Sequence, residues 1–449
     1  LSASSGTMIS VVAGKLSVHD CRLVANGVAI SVAGHDSHLE VTRSEVTGKG
    51  ASVISISDGA KANLTKLKVR APLAKHGLNI FKGSYVALSQ SEVSLCQRGL
   101  VVYGPGEVNC QDSKILSCKD CGVLVDSCDE FFAKDCKISD CSAVGMEIRG
   151  GAPRIEGLKI VRADVCLKLI DQCNANIVKS SFVGGCGSVV YKSAPIFEKC
   201  IFENNSTCGL KIIKRGHPII KSSQFWKNGL HGIDISGGCN VSISRCTFSE
   251  NKGYGCRTKG RVSIALSTFH KNGLTGFAAR SNSMGTIAQT TSSQHNDYGF
   301  DIGWQSNYTI VDCELRNNDK ANMRVCPLAI VKCSGSSFIA SKSNGVTCMA
   351  VNENLFEKCK FIGNALHGLK LSAGTHLVKN SLFRQNAKGL YLNGADALVT
   401  GCNFINNSGF HLVVKNGLAK VRECAFSGLP EQRALATMGS GKIDLSDSR

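Results

Sequence analysis

The residues with the types and spacing to do chemistry stand two positions after a recurring glycine, or after the residue that replaces it: Glu147, Lys168, Lys211, Asp234, Arg257, Asp301, Arg324 and Lys370. Glycoside hydrolysis needs two carboxyl groups about 5–10 Å apart, one to protonate the leaving oxygen and one to act as nucleophile or base. Asp234 and Asp301 lie three repeats apart, about 14 Å at the stacking distance of parallel strands. Each is followed one repeat later by an arginine, Arg257 or Arg324, which predicts cross-strand charge pairing. Lyase or epimerase chemistry on a uronic acid needs a basic group and a charge neutraliser, often a metal held by clustered aspartates, and no such cluster is present. If the chain is catalytic, Asp301, Arg324 and Asp234 are the residues to carry it. The same column supplies the binding candidates Lys168, Lys211, Arg257, Arg324 and Lys370, a basic stripe for a protein or an anionic polymer.

Cysteine is the other reactive type. Many of the 23 cysteines occupy a slot shared with serine, where they act as small buried packing atoms, and so many unpaired thiols point to a reducing, intracellular compartment, cytoplasmic or nuclear. Cys96, Cys118 and Cys141 occupy equivalent positions in three consecutive repeats; stacked thiols are expected, because parallel side chains are poorly directed for a disulfide. Cys118 and Cys121 with Cys141 form a metal candidate that lacks a second matched pair. No cofactor is implied.

With 52 Lys+Arg against 34 Asp+Glu the net charge is +18, which favours anionic partners such as an acidic polysaccharide or an acidic protein surface. Only 6% aromatic residues and no long run of like charge argue against nucleic acid. No stretch is apolar for long enough to make a transmembrane helix. The chain opens at Leu1 without a basic segment leading into an apolar one, so a missing N-terminal targeting signal is an expectation.

A repeat of about 22 residues must position these groups. Glycine followed by alternating apolar residues recurs at Gly27, Gly50, Gly77, Gly99, Gly122 and Gly145, resumes at Gly187, and continues to Gly409, with Cys166 and Asn322 as substitutes. About fourteen residues after each comes a small residue, any residue, then a large apolar one, as in Cys200/Phe202, Ser223/Phe225 and Cys246/Phe248, a spacing that puts both on one strand face. Three residues further stand Asn205, Asn228, Asn251, Asn272, Asn296, Asn318, Asn364, Asn386 and Asn407. They predict an asparagine ladder at a tight bend, with the following glycine letting the chain turn again. The reading is all-β: one single-stranded right-handed parallel β-helix, a solenoid of about 18 coils. Residues 1–20 are expected to form a first strand and cap, 16–428 the repeat domain and 429–449 a polar tail.

Turns such as HPIIKSSQFWKNGLHGIDISGG (217–238) and CTFSENKGYGCRT (246–258) resemble the parallel β-helix repeats called CASH domains, most of all those in the substrate-recognition region of an F-box-only ubiquitin-ligase subunit. The resemblance spans about 16–428 and implies a fold that serves pectate-lyase-like enzymes, mannuronan epimerases and binding domains alike. The segment Tyr298-Gly-Phe-Asp301-Ile-Gly-Trp304 looks like the epimerase motif, but Ile302, Gly303 and Trp304 stand where that family has Pro, His and an acid. The expectation is a non-catalytic recognition or scaffold domain with a basic lateral face. The alternative is a carbohydrate-active protein, a lyase, hydrolase, epimerase or carbohydrate-binding rod, acting on an acidic polysaccharide.

Overall fold

The computed structural model describes all residues except 1, 4, 5, 129, 429–433 and 447–449. The chain divides into two compact units, Leu1–Gln224 and Phe225–Arg449. Each is a right-handed parallel β-helix in which the chain visits three sheets in turn and pairs every strand with its equivalent one repeat away.

In the first unit, a first-sheet strand such as Lys114–Leu116 is followed by a second-sheet strand, Cys121–Asp126, and a third-sheet strand, Glu130–Lys134. Side chains alternate across each sheet, so Val93, Ile115, Ile138 and Ile160 stack inward in register. Phe182 and Phe202 extend the column with ring centroids 4.9 Å apart. In the second unit the stack is aromatic: Phe225, Phe248 and Phe269 follow at 5.0 and 4.7 Å, and Phe338, Phe361, Phe383, Phe404 and Phe426 at 4.7–5.2 Å. Ser292 and Leu315 interrupt the rings between Phe269 and Phe338. Each offset-stacked pair contributes about 0.5–1.5 kcal/mol beyond its buried area.

Most three-residue first-sheet strands are bounded by two left-handed corners. In the second unit Arg245 (φ 53) and Glu250 (φ 54) bracket Thr247–Ser249, and Leu266 (φ 52) and Lys271 (φ 50) bracket Thr268–His270. Left-handed backbone costs such residues about 1–2 kcal/mol, and the residue after each corner offsets that cost by hydrogen bonding between rungs. After the first corner comes the Ser/Cys slot. Ser91 Oγ accepts the Leu67 amide at 3.0 Å and donates to Ser89 O at 2.7 Å, while the Ser91 amide donates to Ser113 Oγ at 3.1 Å. The Cys246, Cys313 and Cys359 amides donate to Ser267, Ser336 and Ser381 in the same way. The slot is therefore a hydroxyl and thiol ladder, and its cysteines do more than pack.

After the second corner comes the asparagine ladder. Asn251 Oδ1 accepts the Asn228 backbone amide at 3.2 Å and its side-chain amide at 2.8 Å, and Asn251 Nδ2 donates to Phe225 O at 3.0 Å and Asn272 Oδ1 at 2.9 Å. The ladder asparagine is not itself left-handed; the residue before it is. His295, rather than Asn296, fills one rung: its Nδ1 accepts the Asn272 amide at 3.0 Å and its own amide donates to Asn318 Oδ1 at 3.1 Å. In the first unit Cys96, Cys118 and Cys141 hold this position and are buried. The repeat glycines serve close approach instead of turning: a Cβ on Gly232 would lie 2.5 Å from the Gly255 carbonyl oxygen.

Strand pairing reaches both ends of the repeat. Thr7–Val11 and Gly14–His19 pair in register with Val28–Ala33 and Ser37–Thr42, so residues 7–19 belong to a regular rung. Within 429–449, Leu435–Met438 and Lys442–Ser446 are strands paired with Phe410–Lys415 and Leu418–Arg422, a correction to the polar tail; 429–433 and 447–449 lie outside the described residues. The alternation in Lys-Ile-Asp-Leu-Ser carries that last strand despite its charge.

Two predictions follow from the ladders. Asn251→Ala removes the acceptor that Asn228 N and Nδ2 use and the donor to the Phe225 carbonyl, and is expected to destabilise by about 2–4 kcal/mol in denaturant titration. His295 is buried, and burial holds its pKa down to about 3 against 6.5 when exposed, so its neutral form belongs to the fold. The associated stability is complete above pH 6.5 and drains away as pH falls toward 3, because the unfolded chain takes up the proton first. His295→Asn keeps the ladder bond, and is expected to lower the slope of unfolding free energy between pH 6 and 4 by about one proton, near 1.4 kcal/mol per pH unit.

Candidate functional site

The second sheet of the second unit carries the column read from the sequence. Its short strands place their middle residue outward, and the register runs Asp234, Arg257, Ala278, Asp301, Arg324, Thr347, Lys370, Tyr391. The next partner is Val413, not His411; His411 is buried, with its Nδ1 beside Asn407 Nδ2 at 2.9 Å, so Gly409 is out of step with the other glycines.

Both aspartates are clamped. Arg257 donates from Nε and Nη2 to the two oxygens of Asp234, each at 2.8 Å. Arg324 does the same to Asp301 at 2.7 and 2.6 Å, and Arg280 Nη1 approaches Asp301 at 3.7 Å. Asp301 is only 3% exposed, and its hydrogen bonds push the Arg324 guanidinium still higher than an ordinary arginine. Two tyrosines from the preceding turns complete the network. Arg280 lies 4.8 Å above the Tyr254 ring and donates to its hydroxyl; Arg324 lies 4.5 Å above Tyr298 and donates to its hydroxyl at 3.4 Å. The His231 ring packs tilted against Tyr254, with centroids 4.9 Å apart, and its Nδ1 accepts the Tyr254 amide at 3.1 Å, with burial holding the imidazole down to about 4. With both oxygens of each carboxylate occupied by guanidinium, Asp234 and Asp301 form a fixed charge pattern and not a proton-transfer pair.

In the first unit, Glu147 receives Arg149 at 2.7 Å and Lys168 at 3.0 Å. Burial pushes its carboxyl upward, but these two cations outweigh burial and hold it below the usual range. Lys211 is exposed, two rungs from Lys168 with Val189 between. Within the basic stripe, Lys168, Arg257 and Arg324 each pair with an acid one rung earlier, and among the described residues only Lys211 and Lys370 of the five stay outside ion pairs. On the first sheet of this unit, Lys114, Lys137 and Lys159 sit in consecutive rungs, exposed and outside ion pairs among the described residues. Cys118, Cys121 and Cys141 point their thiols at backbone carbonyls of Leu116, Val123 and Ser139, burial pushes Cys121 up to about 12, and among the described residues no group of three or more His, Cys, Asp or Glu is placed to hold a metal.

A feature the glycine-based column could not reveal lies on the third sheet of the first unit. Two adjoining hollows of about 430 and 270 Å³ share Glu107 and Asn109 and are lined further by Lys61, Tyr85, Glu130 and Phe132. The signal was present as alternation in Tyr85–Ser89, Glu107–Gln111 and Glu130–Lys134.

Among solved structures the chain is similar to a double mutant of the periplasmic alginate epimerase AlgG, at 11% identity over 71% of this chain and 73% of that one with a TM-score of 0.41. It is similar to pectate lyase Pel9A at 14% identity, over 55% and 70%, TM-score 0.37, and to the A-module of the Azotobacter vinelandii mannuronan C-5 epimerase AlgE4 at 11% identity, over 88% of each chain, TM-score 0.21. No curated protein matches. The right-handed β-helix region model matches residues 26–183, 150–260 and 256–383, and with the three-sheet rungs seen in both units, the chain belongs to the right-handed β-helix family.

Proposed function

We propose that the chain is a β-helical recognition domain that binds a protein partner through the Tyr–Arg–Asp face of its second unit. One observation carries this reading: Arg280, Asp301 and Arg324, backed by Tyr254 and Tyr298, form a continuous pre-positioned network on an outward sheet face. Tyrosine and arginine are the residues that most often anchor interfaces, and side chains already fixed by clamps and stacking lose little freedom on binding. The resemblance of 217–238 and 246–258 to a ligase substrate-recognition region agrees with it, and the thiol-rich interior supports a reducing compartment. The carbohydrate-active reading does not draw on this face, whose carboxylates are spent on arginines. Its support is the groove on the third sheet of the first unit, where rings and carboxylates meet.

Affinity capture from the source cells, quantified for wild type, Arg280→Ala, Tyr298→Ala and Lys211→Ala, tests the proposal. Capture of the same protein is expected to fall about tenfold or more for the first two and to hold for the third; undiminished capture by Arg280→Ala contradicts the assignment, as does turnover of pectate or alginate that Asp301→Ala abolishes. Asp301→Ala leaves two guanidinium groups facing each other, and is expected to destabilise by about 2 kcal/mol, less than a fully buried pair because the arginines are partly solvated.

A further inference from the structure

The outward face of the third sheet in the first unit has two parallel columns. One runs Lys61, Tyr85, Glu107, Glu130; beside it runs Asn63, Ala87, Asn109, Phe132, Arg154. Glu107 and Glu130 are direct cross-strand neighbours, about 4.8 Å apart along the stack. Like charges in that position repel, and in a chain of net charge +18 neither has an ion-pair partner among the described residues, although Glu147, Asp234 and Asp301 all do. Asn109, two residues along the strand from Glu107, lines both hollows, and its Oδ1 is shielded from water without a hydrogen-bond partner. Tyr85, 48% exposed, stands one rung before Glu107 with Lys61 Nζ 5.9 Å from its ring centroid, and Phe132 stands two residues along the strand from Glu130.

We infer that this groove is a binding site for a linear oligosaccharide bearing protonated amino groups. Tyr85 in one hollow and Phe132 in the other supply rings that suit the apolar faces of pyranose rings. An ammonium between Glu107 and Glu130 would relieve their repulsion through charge-assisted hydrogen bonds, and a sugar hydroxyl would satisfy Asn109 Oδ1. Hollows of about 430 and 270 Å³ hold a short oligomer. A basic peptide is disfavoured because strands Tyr85–Ser89 and Glu107–Gln111 are paired on both sides, leaving no edge to pair with a peptide backbone. The site lies apart from the Tyr–Arg–Asp network and does not depend on the role assigned there.

Calorimetric titration of the full chain at pH 6 and low salt with a glucosamine hexamer, its fully N-acetylated counterpart and hexalysine tests the inference. Binding of the glucosamine hexamer is expected, weakened about tenfold or more by Glu130→Gln and by Phe132→Ala, and much tighter than for the acetylated hexamer. Glu130→Gln removes a like-charge contact, so its melting temperature is expected to stay level or rise, which separates loss of binding from loss of fold. Absence of glucosamine-hexamer binding, equal affinity for the acetylated form, undiminished binding in Glu130→Gln, or binding of hexalysine alone would overturn it.

Discussion

The structure depends on hydrogen bonds passed from rung to rung at two left-handed corners. A tight corner repeated every rung would bury backbone groups without partners, each costing about 1–3 kcal/mol. At most corners the chain answers with a polar side chain or thiol one residue later, reaching along the stack. At the first corner it is most often Ser, Thr or Cys, as in the Cys246–Ser267–Thr290 sequence; at the second it is Asn or His295 through most of the second unit and Cys96, Cys118 and Cys141 in three rungs of the first. Residues as unsuited to positive φ as Leu95, Leu266 and Ala340 are accepted there because the ladder over-determines their conformation.

That periodicity is also what builds surfaces. Register fixed by the ladders makes outward residues of successive rungs immediate neighbours, so an acid followed one repeat later by an arginine becomes a bidentate pair, as at Asp234/Arg257 and Asp301/Arg324. The same rule sets two exposed glutamates side by side, as at Glu107/Glu130. Faces of opposite character thus arise from one geometry: a charge-balanced network in the second unit, and in the first a groove whose charges ask for an outside partner.

Much of the fold was legible because period-two alternation and a fixed repeat are strong signals, and the Phe and Asn columns lie where spacing puts them. Other features depend on three-dimensional context. That His295 and not Asn296 enters the ladder turns on which residue follows the left-handed Gln294. The hydroxyl role of the Ser/Cys slot is invisible when the residues are read only by size. Cations counted along one column read as a stripe, yet Lys168, Arg257 and Arg324 each find an acid on the preceding rung. The groove was missed because attention to the residue two after glycine follows only the second sheet.

Amide hydrogen exchange at the ladder positions tests the central claim most directly. The backbone amides of Asn228, Asn251, Asn272, Asn364 and Asn386, which donate to side chains on the neighbouring rung, are expected to be protected to the level of the sheet strands. Exchange at these amides as fast as at exposed loop positions would show that the corners are not held by the ladders, and would contradict the account.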